Sequence, residues 1–121
     1  MGKIGFIDYK GFKILLFDFS YLNNSKEILE FIKEAGLIAR KQVLKSVLVV
    51  TDVTEAHYNI EVTQAMKELA KGNAPYIKAS AVVGVTGLKK ILYDAVIKFS
   101  GRDIKIFDNR ESAMEWLITH K

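Results

Sequence analysis

The sequence predicts an α/β domain: a mixed five-stranded sheet with an N-terminal β-hairpin and four helices, in the order β-β-α-β-α-β-α-β-α. Three observations carry this. Two segments rich in Ile, Leu and Phe flank Lys10-Gly11, the signature of a two-residue hairpin turn. The run Val47-Leu48-Val49-Val50 is apolar without alternation, as in a parallel strand buried on both faces. After the hairpin, strand-like and helix-like segments alternate along the chain, which implies right-handed crossovers onto one sheet.

The elements follow in order. Residues 3–9 and 12–19 are the hairpin strands. Asn24 can cap a helix over 25–43, with Glu27 closing a capping box. There Ile28, Phe31, Ile32, Ala35, Ile38, Ala39 and Val43 recur at spacings of three and four, one buried stripe. A third strand spans 46–53. Asn59 caps a helix over 60–71, with Glu61 in its positive first turn, and Gly72-Asn73 should end it in a left-handed turn. Residues 77–85 form a fourth strand. Thr86 can cap a helix over 88–99, terminated by Ser100-Gly101. Residues 103–107 alternate and carry outward charges, as an edge strand does. Asp108 with Glu111 makes another capping box, opening a helix to about residue 120 that buries Ala113, Trp116 and Leu117.

Composition sets bounds. The 121 residues suit one domain over 1–121, and half of them are hydrophobic against 26% charged, the balance of a soluble fold. With no cysteine there are no disulfides, thiolate zinc sites or cysteine nucleophiles. Two distant histidines give no metal-ligand spacing, so neither metal nor cofactor is expected. The net charge is +4 and the pI about 9.2. The surplus lysines are scattered, among them Lys26, Lys67, Lys71, Lys90 and Lys98, and no nucleic-acid motif accompanies them. Charges interrupt every apolar run, so no signal peptide or membrane span is expected, and a cytoplasmic location fits.

The candidate chemistry centres on "VLVVTDVTEAHYN", residues 47–59. Asp52, Thr54, His57, Tyr58 and Asn59, with Glu61, fall between a strand's C-terminal end and a helix N-terminus, where open α/β sheets bind ligands and partners. The same residues also suit a turn and a helix cap. A hydrolase could recruit Ser80, His57 and Asp52, but no nucleophile elbow surrounds Ser80. A receiver-like phosphoacceptor could use Asp18, Asp52, Thr86 and Lys105, all at or near strand ends, but has one carboxylate too few after its first strand. Gly84–Gly87 lacks the ending of a phosphate loop. In the third helix, Leu88, Ile91, Leu92, Ala95, Val96 and Phe99 can face the sheet, leaving Tyr93 and Ile97 on the other side. The helix is either a wide core stripe or a partner, dimer or apolar-ligand surface made by Leu92, Tyr93, Val96 and Ile97.

The order of elements, with "AVVGVTG" at 81–87 and "IFDNRESAMEWL" at 106–117, resembles the STAS domain, and within it the SpoIIAA-like branch of anti-sigma factor antagonists. The resemblance covers nearly the whole chain as topology and residues 79–117 as sequence. It implies a non-enzymatic regulator whose partner is a protein such as a regulatory kinase or a sigma-pathway protein, or a second copy. The family strand ending Asp-Leu-Ser is echoed by Asp52-Val53-Thr54. Its phosphorylated Asp-Ser-Ser-Gly motif is replaced by His57-Tyr58-Asn59-Ile60-Glu61-Val62-Thr63. Some SpoIIAA-like relatives are also similar in fold to lipid-binding Sec14-type domains, which implies a carrier or sensor of a small apolar ligand as the alternative.

Overall fold

Lys10 and Gly11 both take positive φ, 49° and 85°, and close a two-residue turn between strands β1 (Lys3–Tyr9) and β2 (Phe12–Asp18). That backbone twist matches the twist of the paired strands, which pair Tyr9 with Phe12 through Lys3 with Asp18. The computed structural model describes residues 3–87, 89–101 and 103–120. Three further strands follow: β3 (Val47–Asp52), β4 (Ile77–Val83) and β5 (Ile104–Phe107). The sheet runs β1-β2-β3-β4-β5. β1 is antiparallel to β2, and every later pair is parallel. The expected edge position of β5 is the observed one.

Four helices cover the sheet: α1 (Ser25–Ala39), α2 (Ile60–Asn73), α3 (Lys89–Ser100) and α4 (Arg110–Ile118). Strand alternation separates two cores. Leu15, Phe17, Val49 and Val82 point to one face, where they meet Ile28 and Ile32 of α1, Val62 and Met66 of α2, and Val96 of α3. Ile14, Leu16, Leu48, Val50 and Ala81 point to the other, where Ala113 and Leu117 of α4 cover them. A single nine-residue helix suffices there because alanines at 79, 81 and 113 let it lie close.

Several expectations are corrected. α1 stops at Ala39, and Val43 is 76% exposed rather than buried. The Gln42 side chain donates to the Ile38 carbonyl, and Arg40 leaves the helix direction to donate to Asn73 Oδ1 at 3.1 Å. This also explains Gly72. It makes no left-handed turn; α2 runs on to Asn73 and into a 3₁₀ turn, Ala74–Tyr76. A Cβ on Gly72 would lie 2.0 Å from Arg40 Nη2, so the glycine makes room for the guanidinium. The cap of α4 is Asn109, not Asp108, with Oδ1 accepting from Ser112 N–H at 2.8 Å. Trp116 is half-buried, against Phe107 and His120.

α3 is rotated from the expected wheel. Ile91 is 67% and Phe99 42% exposed, while Tyr93 turns inward. The expected inward position of Leu88 lies outside the described residues. Lys67 and Lys71 of α2 sit over the Phe99 ring, which accounts for an aromatic left at the surface.

Gly84 has φ +87°, and a Cβ there would lie 2.3 Å from Thr54 Oγ1 and 2.6 Å from the Thr54 backbone nitrogen. Backbone cannot yield as a side-chain tip can. Gly84→Ala should therefore cost about 2–4 kcal/mol in urea unfolding with an unchanged m-value. A loss below about 0.5 kcal/mol would contradict this packing.

Candidate functional site

Two of the apolar rows facing α4 end in a carboxylate. Ile14 and Leu16 lead to Asp18, and Leu48 and Val50 lead to Asp52. Asp18 and Asp52 are register partners on adjacent parallel strands, and both are buried. Two buried like charges so placed repel unless a cation separates them. Arg110 provides it. Its Nε donates to Asp52 Oδ2 at 2.6 Å, and its Nη2 lies 3.0 Å from Asp18 Oδ1. Arg110 is the first residue of α4, a helix end whose dipole disfavours a cation, so the pairing and not the helix explains the residue.

The remaining carboxylate capacity binds the loops. Asp18 Oδ1 accepts from the Ser20 amide at 3.0 Å and hydroxyl at 2.5 Å. Asp52 Oδ1 accepts from the Thr54 amide at 2.9 Å and hydroxyl at 2.6 Å. The two turns share one design, Asp-x-Ser/Thr followed by a residue at positive φ, Tyr21 (60°) and Glu55 (52°). Backbone bonds lace them together: Phe19 N–H to Asp52 O, Tyr21 N–H to Thr54 O and His57 N–H to Leu22 O. Burial alone would raise the Asp18 carboxyl. The Ser20 bonds and Arg110 outweigh it and hold the group below its ordinary value. Burial acts against the Arg110 charge as well, but the bonds to both carboxylates raise its pKa.

The residues expected in one cluster divide between the two faces. Asp52 and Thr54 are committed to the Arg110 side. His57, Tyr58, Asn59 and Glu61 lie on the α2 side and are exposed. Asn59 caps α2, its Oδ1 accepting from Val62 N–H at 2.8 Å, and its Nδ2 donates to Ser25 Oγ at 2.9 Å. Next to it Ile60 opens α2 at 92% exposure. An open depression of about 370 Å³ runs from Tyr58 and Ile60 past Thr63 and Lys67 to Leu92 of α3. Ser80 lies mid-strand with its side chain on the α2 side, so Ser80, His57 and Asp52 do not meet. Lys105 packs over Trp116 and Thr86 is exposed, while a guanidinium occupies the space between Asp18 and Asp52. No receiver-like constellation forms. Among the described residues no cluster of His, Asp and Glu could hold a metal ion, and no helix is long and apolar enough to cross a membrane.

Of the four α3 residues expected as a core stripe or as a partner, dimer or apolar-ligand surface, three border an apolar cavity, and Leu92 also borders the open depression. Leu92, Tyr93 and Val96 line a cavity of about 30 Å³ between α2, α3 and the sheet; Ile97 is half-buried on the same helix. Lys89 stands at its edge, its ammonium donating to Val53 O at 2.9 Å and lying over the Tyr58 ring. Burial lowers the Lys89 pKa, against the opposing pull of Glu55 and Asp52. The Tyr93 hydroxyl is buried without a hydrogen-bond partner among the described residues, and burial pushes its pKa up. Such an unpaired group costs about 1–3 kcal/mol. Ser20, Lys89 and Arg110 escape residue-by-residue reading. The detectable signals are the doubled Asp-x-Ser/Thr at two strand ends and a cation opening the last helix.

Compared with family models, with curated proteins and with solved structures, the chain matches none of them.

Because the folded Asp18 carboxyl lies below its ordinary value near 3.8, its contribution to stability is full above that value and is lost as pH falls through the folded value. Chemical denaturation should show stability declining below about pH 4. Asp18→Asn should be less stable at pH 7 and decline less steeply in acid. An unchanged acid limb in that variant would contradict the assignment.

Proposed function

We propose that the chain is a non-catalytic, cytoplasmic regulatory module of SpoIIAA-like STAS type, which docks a protein through residues 53–61 and the adjoining face of α3. Ile60 carries this reading. A large apolar side chain sits almost wholly in solvent at the start of a helix, next to Tyr58 and an open depression, on a loop pinned by Asp52 and by backbone bonds to the β2–α1 turn. A rigid loop presenting an apolar anchor with polar neighbours His57, Asn59 and Glu61 suits recognition better than turnover. The family's phosphorylated serine has no counterpart here. Thr63, the nearest hydroxyl in the helix, is half-buried. Docking would therefore be controlled by something other than modification at that position. The partner is another protein, such as a regulatory kinase or a sigma-pathway protein, or a second copy of the chain.

A second reading, a carrier or sensor of a small apolar ligand, rests on a different observation: the unpaired Tyr93 hydroxyl beside an apolar cavity. A volume of about 30 Å³ is room for a water or two, so an apolar ligand would enter only if α2 and α3 moved apart.

A photo-crosslinking residue at position 60 or 91, in cells of the source, tests the docking face. Both positions should capture the same protein in stoichiometric amounts, and position 37 on α1 should not. Ile60→Glu should abolish the complex while changing stability by less than about 0.5 kcal/mol, as surface substitutions do. Capture from position 37 equal to that from 60, or a complex indifferent to Ile60→Glu, would refute the docking face.

A further inference from the structure

Val43 is 76% and Leu44 63% exposed, next to each other in the turn between α1 and β3. The turn is held by its own hydrogen bonds. The Gln42 side chain donates to the Ile38 carbonyl, the Ser46 hydroxyl to the Val43 carbonyl at 2.6 Å, and Lys45 N–H to the Pro75 carbonyl at 3.0 Å. It feeds the start of β3, whereas residues 53–61 follow the end of that strand, six residues or about 20 Å away.

Exposed cations surround the aliphatic pair. Arg40, Lys41 and Lys45 flank it in sequence, and Lys71 and Lys78 bracket the 3₁₀ turn to which it is bonded. No Asp or Glu occurs between Glu34 and Asp52 or between Glu68 and Asp94, so both stretches that meet here are free of acid. Among the described residues none of the five cations has a carboxylate within salt-bridge distance. Asp8 and Asp103 sit at the two edge strands, and Glu115 is held by Lys10. Nucleic acid would satisfy the charges but not Val43 and Leu44, and residues 40–46 offer no aromatic ring to stack on a base. An anionic lipid surface satisfies both. Its headgroups attract the cations, whose long stems keep the charge in water while aliphatic tips enter the acyl boundary.

We propose that the α1–β3 turn docks the chain on an anionic lipid bilayer, with Val43 and Leu44 in the interface and Arg40, Lys41 and Lys45 on the headgroups. The domain then lies on the membrane and not across it, and residues 53–61 stay on the far side of the sheet from the lipid. The proposal is independent of the docking face at those residues.

Flotation of the full chain with vesicles tests it. Vesicles of equal parts phosphatidylcholine and phosphatidylglycerol should carry the chain at low salt, pure phosphatidylcholine vesicles should not, and added salt should release it. Lys41→Ser and Lys45→Ser should each weaken binding about fivefold, and Leu44→Ser about tenfold. All three positions are exposed, so urea unfolding of these variants should match the parent. The chain has no cysteine, so Leu44→Cys and Ile60→Cys can each carry a single polarity-sensitive dye. The dye at 44 should shift to the blue on the mixed vesicles, and the dye at 60 should not. Absence of flotation with mixed vesicles, equal flotation with neutral ones, or binding indifferent to all three serine substitutions would overturn the proposal. So would a shift at 60 matching that at 44. A blue shift at 44 with polyglutamate but not with vesicles would assign the turn to an acidic protein and overturn it as well.

Discussion

The guanidinium of Arg110 is the contact on which most of this fold turns. Strand pairing places Asp18 and Asp52 side by side, about 4.8 Å apart in backbone spacing, and buries both. Alone, one of them would have to protonate or turn out. With Arg110 between them, both can remain charged and each can still tie down the loop that follows it. The same pairing fixes α4, whose nine residues are too few to hold a helix unaided. Because α4 is the helix that covers Ile14, Leu16, Leu48 and Val50, the second core depends on the contact too. So does the β3–α2 loop, whose Thr54 is held by Asp52 and whose backbone is laced to the β2–α1 turn.

This arrangement separates two kinds of chemistry. On the α4 side the strand ends are polar, charged and mutually satisfied, which makes them structural. On the α2–α3 side they are apolar and incompletely satisfied. Among the described residues Ile60 lacks cover and the Tyr93 hydroxyl lacks a partner. Unmet demands of this sort mark where a molecule other than the chain is expected. The expected cluster from Asp52 to Glu61 joined the two sides because its members are close in sequence. Strand alternation sends Asp52 one way and the loop after it the other.

What was legible in the sequence was local. The Lys10-Gly11 turn, the Asn24 and Asn59 caps and the unbroken Val47–Val50 strand depend on residues a few positions apart, and each forms as expected. The order and mixed directions of the strands follow from them. The Arg110 pairing spans 58 residues to Asp52, and no local rule connects the two. Gly72 looked like a helix terminator because its true reason, the Arg40 guanidinium, arrives from another helix. The face of α3 was misjudged for a related cause. Ile91 and Phe99 are as apolar as the residues that turn inward, and the lysines covering Phe99 belong to α2.

The stability of Arg110→Met as a function of pH probes the central contact most directly. The substitution keeps an apolar stem and removes the charge, leaving two buried carboxylates facing each other. The folded pKa of that pair should rise above its unfolded value, so the variant should be weakest at neutral pH and gain stability as pH falls from 7 toward about 5. The parent should show no such gain. A variant whose profile merely parallels the parent's across that range would mean that Asp18 and Asp52 do not need Arg110 to coexist.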